Sequence, residues 1–284
     1  MTKLYGGIDL GGSFIKAGLL SADGKQVTKF IVPSKIEEGI DALAENLRDV
    51  GKQLIKVAGE KKAEVLGIGI GSPGTIKYPE GIVTGATPNI PGWVGTNISG
   101  LFSNFPIPIK ADNDANCMGL AEAMFGAGRG TQNGFYLTLG TGVGGALVIN
   151  GALIRGASYC AGEFGHMVFK YNGYKCKTGR RGCLEHYVAA GALVRAAKSE
   201  LKKHRKSILA KAADEITPRL IFDAFNHHDP LAVKVVTENA ARVGVAIGSV
   251  VNLLNPEIVV IGGGMALSGP RYIDLIRQSV FKFA

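Results

Sequence analysis

A chain of 284 residues, 46% of them hydrophobic, has the apolar content for a packed core and the length for two lobes, which excludes a disordered protein. Four cysteines are too few for a disulfide framework, no signal peptide precedes the first strand, and no apolar run approaches the ~18 residues of a membrane span; a protein of the reducing cytoplasm with no membrane partner is expected. The net charge of +9 would suit nucleic acid, an anionic surface or a phosphorylated small molecule, but its densest run, Lys198 to Lys211, carries Leu201, Ile208 and Leu209 with few aromatics, the pattern of a solvated helix face rather than a nucleic-acid patch.

The chain opens with a strand almost at once, since KLYGGIDLGGSFIKAGLLSADG reads strand, glycine turn, strand, turn. After Val32-Pro33-Ser34 a long amphipathic helix is expected, with Ile36, Ile40, Leu43, Leu47, Val50, Leu54 and Val57 on one stripe of period 3.6. Ser34 followed by Glu37 has the spacing of a capping box at its start. AEVLGIGIGSPG reads as a buried strand ending in a glycine-rich turn, and PIPIKADND as another strand with acids at its carboxyl end.

Near residue 131 the pattern begins again. NGFYLTLGTGVGGALVINGALI is strand, glycine turn, strand, and LTLGTGVGGALVI lies over IDLGGSFIKAGLL with Thr138 opposite Asp9. EIVVIGGGMAL at 257–267 similarly matches EVLGIGIGSPG, and such self-similarity predicts two related lobes facing one another across a cleft. Helices are expected over 186–250, with the apolar series Val243, Ile247, Val250, Val251 and Leu254 stopping at Asn255-Pro256. Ile273, Ile276, Val280 and Phe283 mark one face of a last helix.

Gly140, Gly142 and Gly145 have the spacing G-x-G-x-x-G, yet a dinucleotide fingerprint turns from a strand into a helix, and here ALVIN reads as a second strand. No G-x-x-x-x-G-K-[ST] occurs. What remains is a glycine turn between antiparallel strands, once per lobe. Each is either an ordinary hairpin or a place where backbone amides reach phosphate oxygens unobstructed by side chains. The pairing of the two with IGGG at 261–264 favours the second. Ser13 and Thr141 would add hydroxyl donors, and Asp9 would hold a magnesium ion through water.

ADNDANCMGLAEAMFGAG places Asp112, Asn113 and Asp114 just before a helix. One reading is a helix N-cap. The other is compatible with it: a carboxylate kept ionised by the helix amino end can accept the proton of a substrate hydroxyl as that oxygen attacks a γ-phosphate.

At this point the residues resemble a known family. GGIDLGGSFIKAGLL, GSPG, ATPNIPGW, DNDANC, LTLGTGVGGALVINGALI, AGEFGHM and GRRGCLE occur in the order found in the ROK family of bacterial glucokinases, related hexose and N-acetylhexosamine kinases and some transcriptional repressors. The resemblance runs from residue 5 to about 267 and implies an α/β protein of the actin-like ATPase (ribonuclease H-like) fold, two α/β lobes with ATP and sugar in the central cleft. The lobes would be 1–115, with the first phosphate loop and part of the sugar pocket, and 116–284, with the second phosphate loop and the E-x-G-H motif.

The resemblance also implies roles. Asp114 matches the catalytic base. Asn113, Glu163, His166 and Glu185 match residues that bind sugar hydroxyls, and Gly74, Thr87 and Asn89 lie in the segments forming the other wall of the pocket. Asp9, Gly11, Gly12 and Ser13 match the first phosphate loop, with serine where threonine is commoner; Gly140, Thr141, Gly142, Gly144, Gly145 and Gly263 are assigned to the nucleotide on the second lobe. ATP with Mg2+ is the implied cofactor and a homodimer the implied assembly.

The family's zinc loop reads C-x-C-G-x-x-G-C-x-E, with the E-x-G-H histidine as fourth ligand. Here CKTGRRGCLE has Thr178 in place of the second cysteine, leaving His166, Cys176 and Cys183. Zinc prefers four ligands in a structural site; either Cys160, His186 or water completes the shell, or the loop has lost its metal.

The expected activity is ATP-dependent phosphorylation of a hexose, glucose at its 6-hydroxyl first, with mannose and N-acetylhexosamines as alternatives. A repressor of this family would carry a DNA-binding module before its first strand, where four residues precede Tyr5; a sugar-binding protein without catalysis need not keep Asp114 or both phosphate loops. Family members usually continue past the helix after GGG, so a shortened carboxyl end is also expected here.

Overall fold

The computed structural model describes residues 1–85, 89–176, 179–213 and 215–284, and these group into two units: Met1–Gly130 with Leu153–Ala161, and Thr131–Ala152 with Gly162–Ala284. In the first unit, β1 (Thr2–Leu10) buries Leu4, Ile8 and Leu10 on alternate positions, as a strand with one face on a core must. β2 (Phe14–Ser21) and β3 (Gln26–Pro33) follow as antiparallel neighbours; α1 (Ile40–Glu60) leads to β4 (Ala63–Ser72), the small hairpin β5 (Thr75–Lys77) and β6 (Ile82–Gly85), β7 (Ile109–Asn113) and α2 (Asp114–Phe125). The sheet order is β3-β2-β1-β4-β7, with β1, β4 and β7 parallel.

The stripe of α1 is buried at Leu43, Leu47, Val50 and Leu54 and packs on β2 and β4. Its beginning differs from expectation. Ile36 lies in a separate 3-10 turn, the helix starts at Ile40 behind Gly39, and no side chain caps it. Ser34 is instead fully buried and donates its hydroxyl to Gly12 O across the β1–β2 turn, a tertiary acceptor that outcompetes the local cap. α2 packs on β4 and β7, so it stands with the first unit although the sequence boundary at 115/116 puts it in the second.

The second unit repeats the arrangement. β8 (Gly134–Leu139) has β9 (Val143–Ile149) antiparallel on one side; the type of two-residue turn that Asn-Gly favours, with Asn150 at φ 52 and Gly151 at φ 73, leads to β10 (Ala152–Ile154). After α3 (Glu185–Val188), α4 (Ala190–Glu200), α5 (Pro218–Asn226) and α6 (Pro230–Leu254), β11 (Ile258–Gly262) pairs parallel on the other side of β8, and α7 (Pro270–Val280) follows. Hairpin plus parallel partner, β9-β8-β11, thus matches β2-β1-β4, as the self-similarity predicts. Because β9 is a strand, the G-x-G-x-x-G spacing does not open a helix.

α6 begins with Pro230 in its first turn and Asp229 accepting from Ala232 N at 3.0 Å, and it stops at Asn255 in the left-handed region at φ 44. Tyr272 of α7 donates to Asn239 Oδ1 (2.6 Å), and Asn239 donates to Val188 O (3.0 Å), a buried polar chain joining α7, α6 and α3. The basic run is not one helix face. α4 ends at Glu200, and Leu201–Lys203 and Ile208–Ala212 are short 3-10 turns, the second held by buried Ser207, which donates to Asp229 Oδ1 at 2.8 Å. Among the described residues no helix is long and apolar enough to cross a membrane.

Candidate active site

In the first unit the candidate residues gather at the carboxyl ends of the parallel strands. Asp9 of β1 pairs with Gly71 of β4, and Gly71 with Asp112 of β7, so the two acids share one row with a glycine between them, their Cα atoms about 10 Å apart. The next residue along, Asn113, takes the cap of α2: its Oδ1 accepts from Ala115 N (2.9 Å) and Asn116 N (3.1 Å), while its Nδ2 donates to Gly74 O (3.1 Å). The capping role therefore falls to Asn113. Asp114 stands exposed on the first turn, its Oδ1 accepting from Ala115 N at 2.8 Å.

Asp112 is buried and does different work. Its Oδ2 accepts from Arg155 Nε at 2.8 Å and pairs with Arg155 Nη2 at 2.7 Å, while its Oδ1 accepts from Asn113 N (2.8 Å) and Asn116 Nδ2 (3.2 Å). The Arg155 guanidinium lies 3.8 Å from the centre of the Tyr78 ring. Behind these acids the Cys117 thiol is pushed up to about 12 by burial and then by the Asp112 and Asp114 carboxylates, so it stays protonated at neutral pH. On the neighbouring strand end, Trp93 is fully buried and donates to Ser72 Oγ at 3.0 Å, which fixes the turn running to Gly74.

The first glycine turn closes with Gly11 N donating to Phe14 O at 3.0 Å, and Asn89 packs beside Gly12. Asp9 is paired at 2.9 Å with Lys16, its direct cross-strand partner in the hairpin. Both side chains are about half exposed, and such a pair is worth roughly 0–1 kcal/mol, so phosphate or a divalent cation can displace it. Lys16 was legible once the turn is centred on Gly12–Ser13, because that register sets residue 16 opposite residue 9.

Hard oxygen donors are what magnesium requires, and it usually takes only one or two carboxylates, with water and phosphate completing the shell. The exposed carboxylate of Asp9 beside the Gly11–Ser13 turn fits that demand. Thr87 lies outside the described residues.

In the second unit the turn Gly140–Gly142 closes with Gly140 N donating to Gly142 O (3.0 Å), and Gly144 N donates to Thr138 Oγ1 (3.1 Å). Gly263 sits against the backbone of Leu139. Glu185, in the first turn of α3, accepts from Val143 N at 2.9 Å. Its carboxylate thus touches the glycine turn, a contact the sugar-binding expectation did not include.

Glu163 precedes and His166 ends a 3-10 turn (Phe164–His166) anchored by Phe164, whose ring meets Phe135 edge-on at 4.9 Å. A Cβ on Gly145, Gly162 or Gly165 would collide with backbone carbonyls, and this close approach seats the E-x-G-H turn on the β8–β9 hairpin. The His166 and Glu163 side chains are 3.8 Å apart, beyond hydrogen-bond range, and His166 Nδ1 is buried without a partner among the described residues.

The zinc expectation is corrected. Cys176 and Cys183 are bonded to each other as a disulfide, contrary also to the expectation of free thiols, and a sulfur in a disulfide is not a thiolate ligand. The described residues gather no group of three or more His, Cys, Asp or Glu suited to a metal, so His166, Cys176 and Cys183 do not fit zinc. Cys160 is free and exposed, and Thr178 lies outside the described residues.

Arg155 contacts Asp112, beside the candidate site residue Asn113, and Ser34 contacts the candidate site residue Gly12; sequence reasoning placed neither of them there. Arg155 follows β10, 43 residues from its partner, and nothing local marks it.

The ROK family model matches residues 5–284. A glucokinase of Halalkalibacterium halodurans is 35% identical over 287 aligned residues, covering 99% of this chain and 86% of that protein. A xylose repressor of Caldicellulosiruptor bescii is 31% identical, with 96% of this chain and 69% of the repressor covered. Among solved structures, a ROK family glucokinase from Streptomyces griseus in complex with glucose and AMPPNP is similar at a TM-score of 0.85 and 29% identity, over 99% of this chain and 89% of that one.

Proposed function

The chain belongs to the ROK family, and from that premise we propose that it transfers the γ-phosphoryl group of ATP to a hexose, glucose at its 6-hydroxyl being the first substrate. The class is that of a sugar kinase with the actin-like, two-lobed α/β fold. The observation that carries the proposal is the position of Asp114, whose carboxylate is exposed on the first turn of α2 directly beside the cap that Asn113 makes with Ala115 N and Asn116 N.

Asp114 acts as general base, accepting the proton of the sugar hydroxyl as its oxygen attacks phosphorus. Asn113 retains one Nδ2 hydrogen beyond its bond to Gly74 and donates it to the sugar. Glu163, Glu185 and His166 are assigned to further sugar hydroxyls, as are the positions of Gly74 and Asn89. Of the two glycine turns, the amides of Gly12 and Ser13 and of Thr141 and Gly142, which do not close those turns, bind the nucleotide with the Ser13 and Thr141 hydroxyls and Gly263. Asp9 would hold magnesium through water, and the ion when bound neutralises charge on the phosphates.

The test is ADP release with MgATP over glucose, mannose, fructose, N-acetylglucosamine and N-acetylmannosamine. Glucose is expected to give the highest kcat/KM; a different best sugar changes the substrate and keeps the class. Binding of sugar with no turnover of any would favour the regulator reading that the xylose repressor similarity raises. With the best sugar, Glu163→Ala is expected to raise the sugar KM roughly tenfold to a hundredfold while KM for ATP stays within threefold, as loss of a charged hydrogen bond implies. Equal rises in both constants would contradict the role given to Glu163.

A further inference from the structure

Ser34 stands outside every motif that the function absorbs, yet it is fully buried and touches the first glycine turn twice. Its hydroxyl donates to Gly12 O at 3.0 Å and its amide donates to Ser13 O at 3.0 Å. One residue therefore holds two successive carbonyls. A trans peptide is planar, with its C=O and the following N–H pointing in opposite directions. Holding Gly12 O toward Ser34 turns the Ser13 amide away from it, and holding Ser13 O does the same to the amide of Phe14.

The clamp is itself anchored. Asn46 of α1 donates from Nδ2 to Pro33 O (2.7 Å) and Ser34 O (3.2 Å), so helix, strand end and turn form one chain of hydrogen bonds. A glycine pair has no side chains to fix its own peptide planes and can flip at little cost. Donors aimed before the ligand arrives bind an anion more tightly than donors that must reorient.

We infer that Ser34 is a positioning residue of the first phosphate-binding turn, fixing the direction in which the amides of Ser13 and Phe14 face. This rests on the kinase reading and deepens it, because it assigns Ser34 to nucleotide affinity and not to sugar recognition or chemistry. Ser34→Ala removes the hydroxyl bond and leaves the amide bond. It is expected to raise KM for MgATP, and Kd for AMPPNP measured by calorimetry without sugar, about twofold to tenfold, the worth of one neutral hydrogen bond. The sugar KM, and kcat at saturating ATP, are expected to stay within twofold. Ser34→Thr keeps the hydroxyl and is expected to lie nearer the parent protein.

Unchanged nucleotide affinity in Ser34→Ala, or equal affinity in the Ala and Thr variants, overturns the inference. So does a uniform fall of every constant together with the melting temperature, which marks a merely structural role. A parent protein that binds no adenine nucleotide overturns the kinase reading and the inference together, whereas a parent that binds it beside an unaffected Ser34→Ala overturns the inference alone.

Discussion

Asp114→Asn is expected to lower kcat by about 10²- to 10⁴-fold, the usual worth of a positioned general base, with both KM values within a few-fold of the parent. The amide keeps the size of the carboxylate but cannot take the sugar proton. Folding should be undisturbed, because the helix cap belongs to Asn113 through its bonds to Ala115 N and Asn116 N. Steady-state rates with a circular dichroism melt read both quantities. A kcat within tenfold of the parent removes Asp114 from the chemistry; a melting temperature that collapses means the first turn of α2 depends on it structurally.

The second large effect is on stability. Arg155→Ala takes away the cation that pairs with Asp112 at 2.7 Å, leaving a carboxylate in a residue only 7% exposed. Breaking a buried pair by removing one partner costs about 3–5 kcal/mol, more than the pair itself contributes, because the remaining charge stays out of water. The guanidinium's packing on Tyr78 is lost as well. For a protein of this size the melting temperature should fall by roughly 10 °C. Asp112→Asn added to Arg155→Ala should recover part of the loss, since the uncompensated charge is then gone. Because Asp112 Oδ1 also accepts from Asn113 N, kcat is expected to drop with stability. A melting temperature within a degree or two of the parent would show that the pair is solvated and holds nothing in place.

What could be read in advance was what depends on near neighbours. The period of α1, the strand character of ALVIN after the second glycine turn, and the stop at Asn255-Pro256 all come from local sterics and burial alternation, and each appears in the structure. The repeated hairpin followed by a parallel strand was legible because its glycine clusters recur in the same order. Ser34 shows the limit: its spacing to Glu37 is that of a cap, but a buried hydroxyl takes the acceptor that tertiary packing brings, and that was Gly12 O, 22 residues back. Arg155 fails for the same reason, since charge pairing across 43 residues leaves no periodic trace. The zinc expectation comes from the family resemblance, one cysteine short of its pattern; spacing does not distinguish two thiolates on one ion from two sulfurs on each other, and the structure has the second. Glu185 was assigned to the sugar by motif, while its contact with Val143 N depends on how α3 meets the β8–β9 turn, which no local pattern encodes.

The most direct measurement is the product itself: glucose and MgATP incubated with the protein and followed by phosphorus NMR. One phosphate monoester on the 6-oxygen of glucose for each ADP formed, absent with Asp114→Asn, is the predicted result. Glucose left unphosphorylated while the other hexoses are also unchanged, whether or not ATP is hydrolysed, would contradict the assignment of this chain as a hexose kinase.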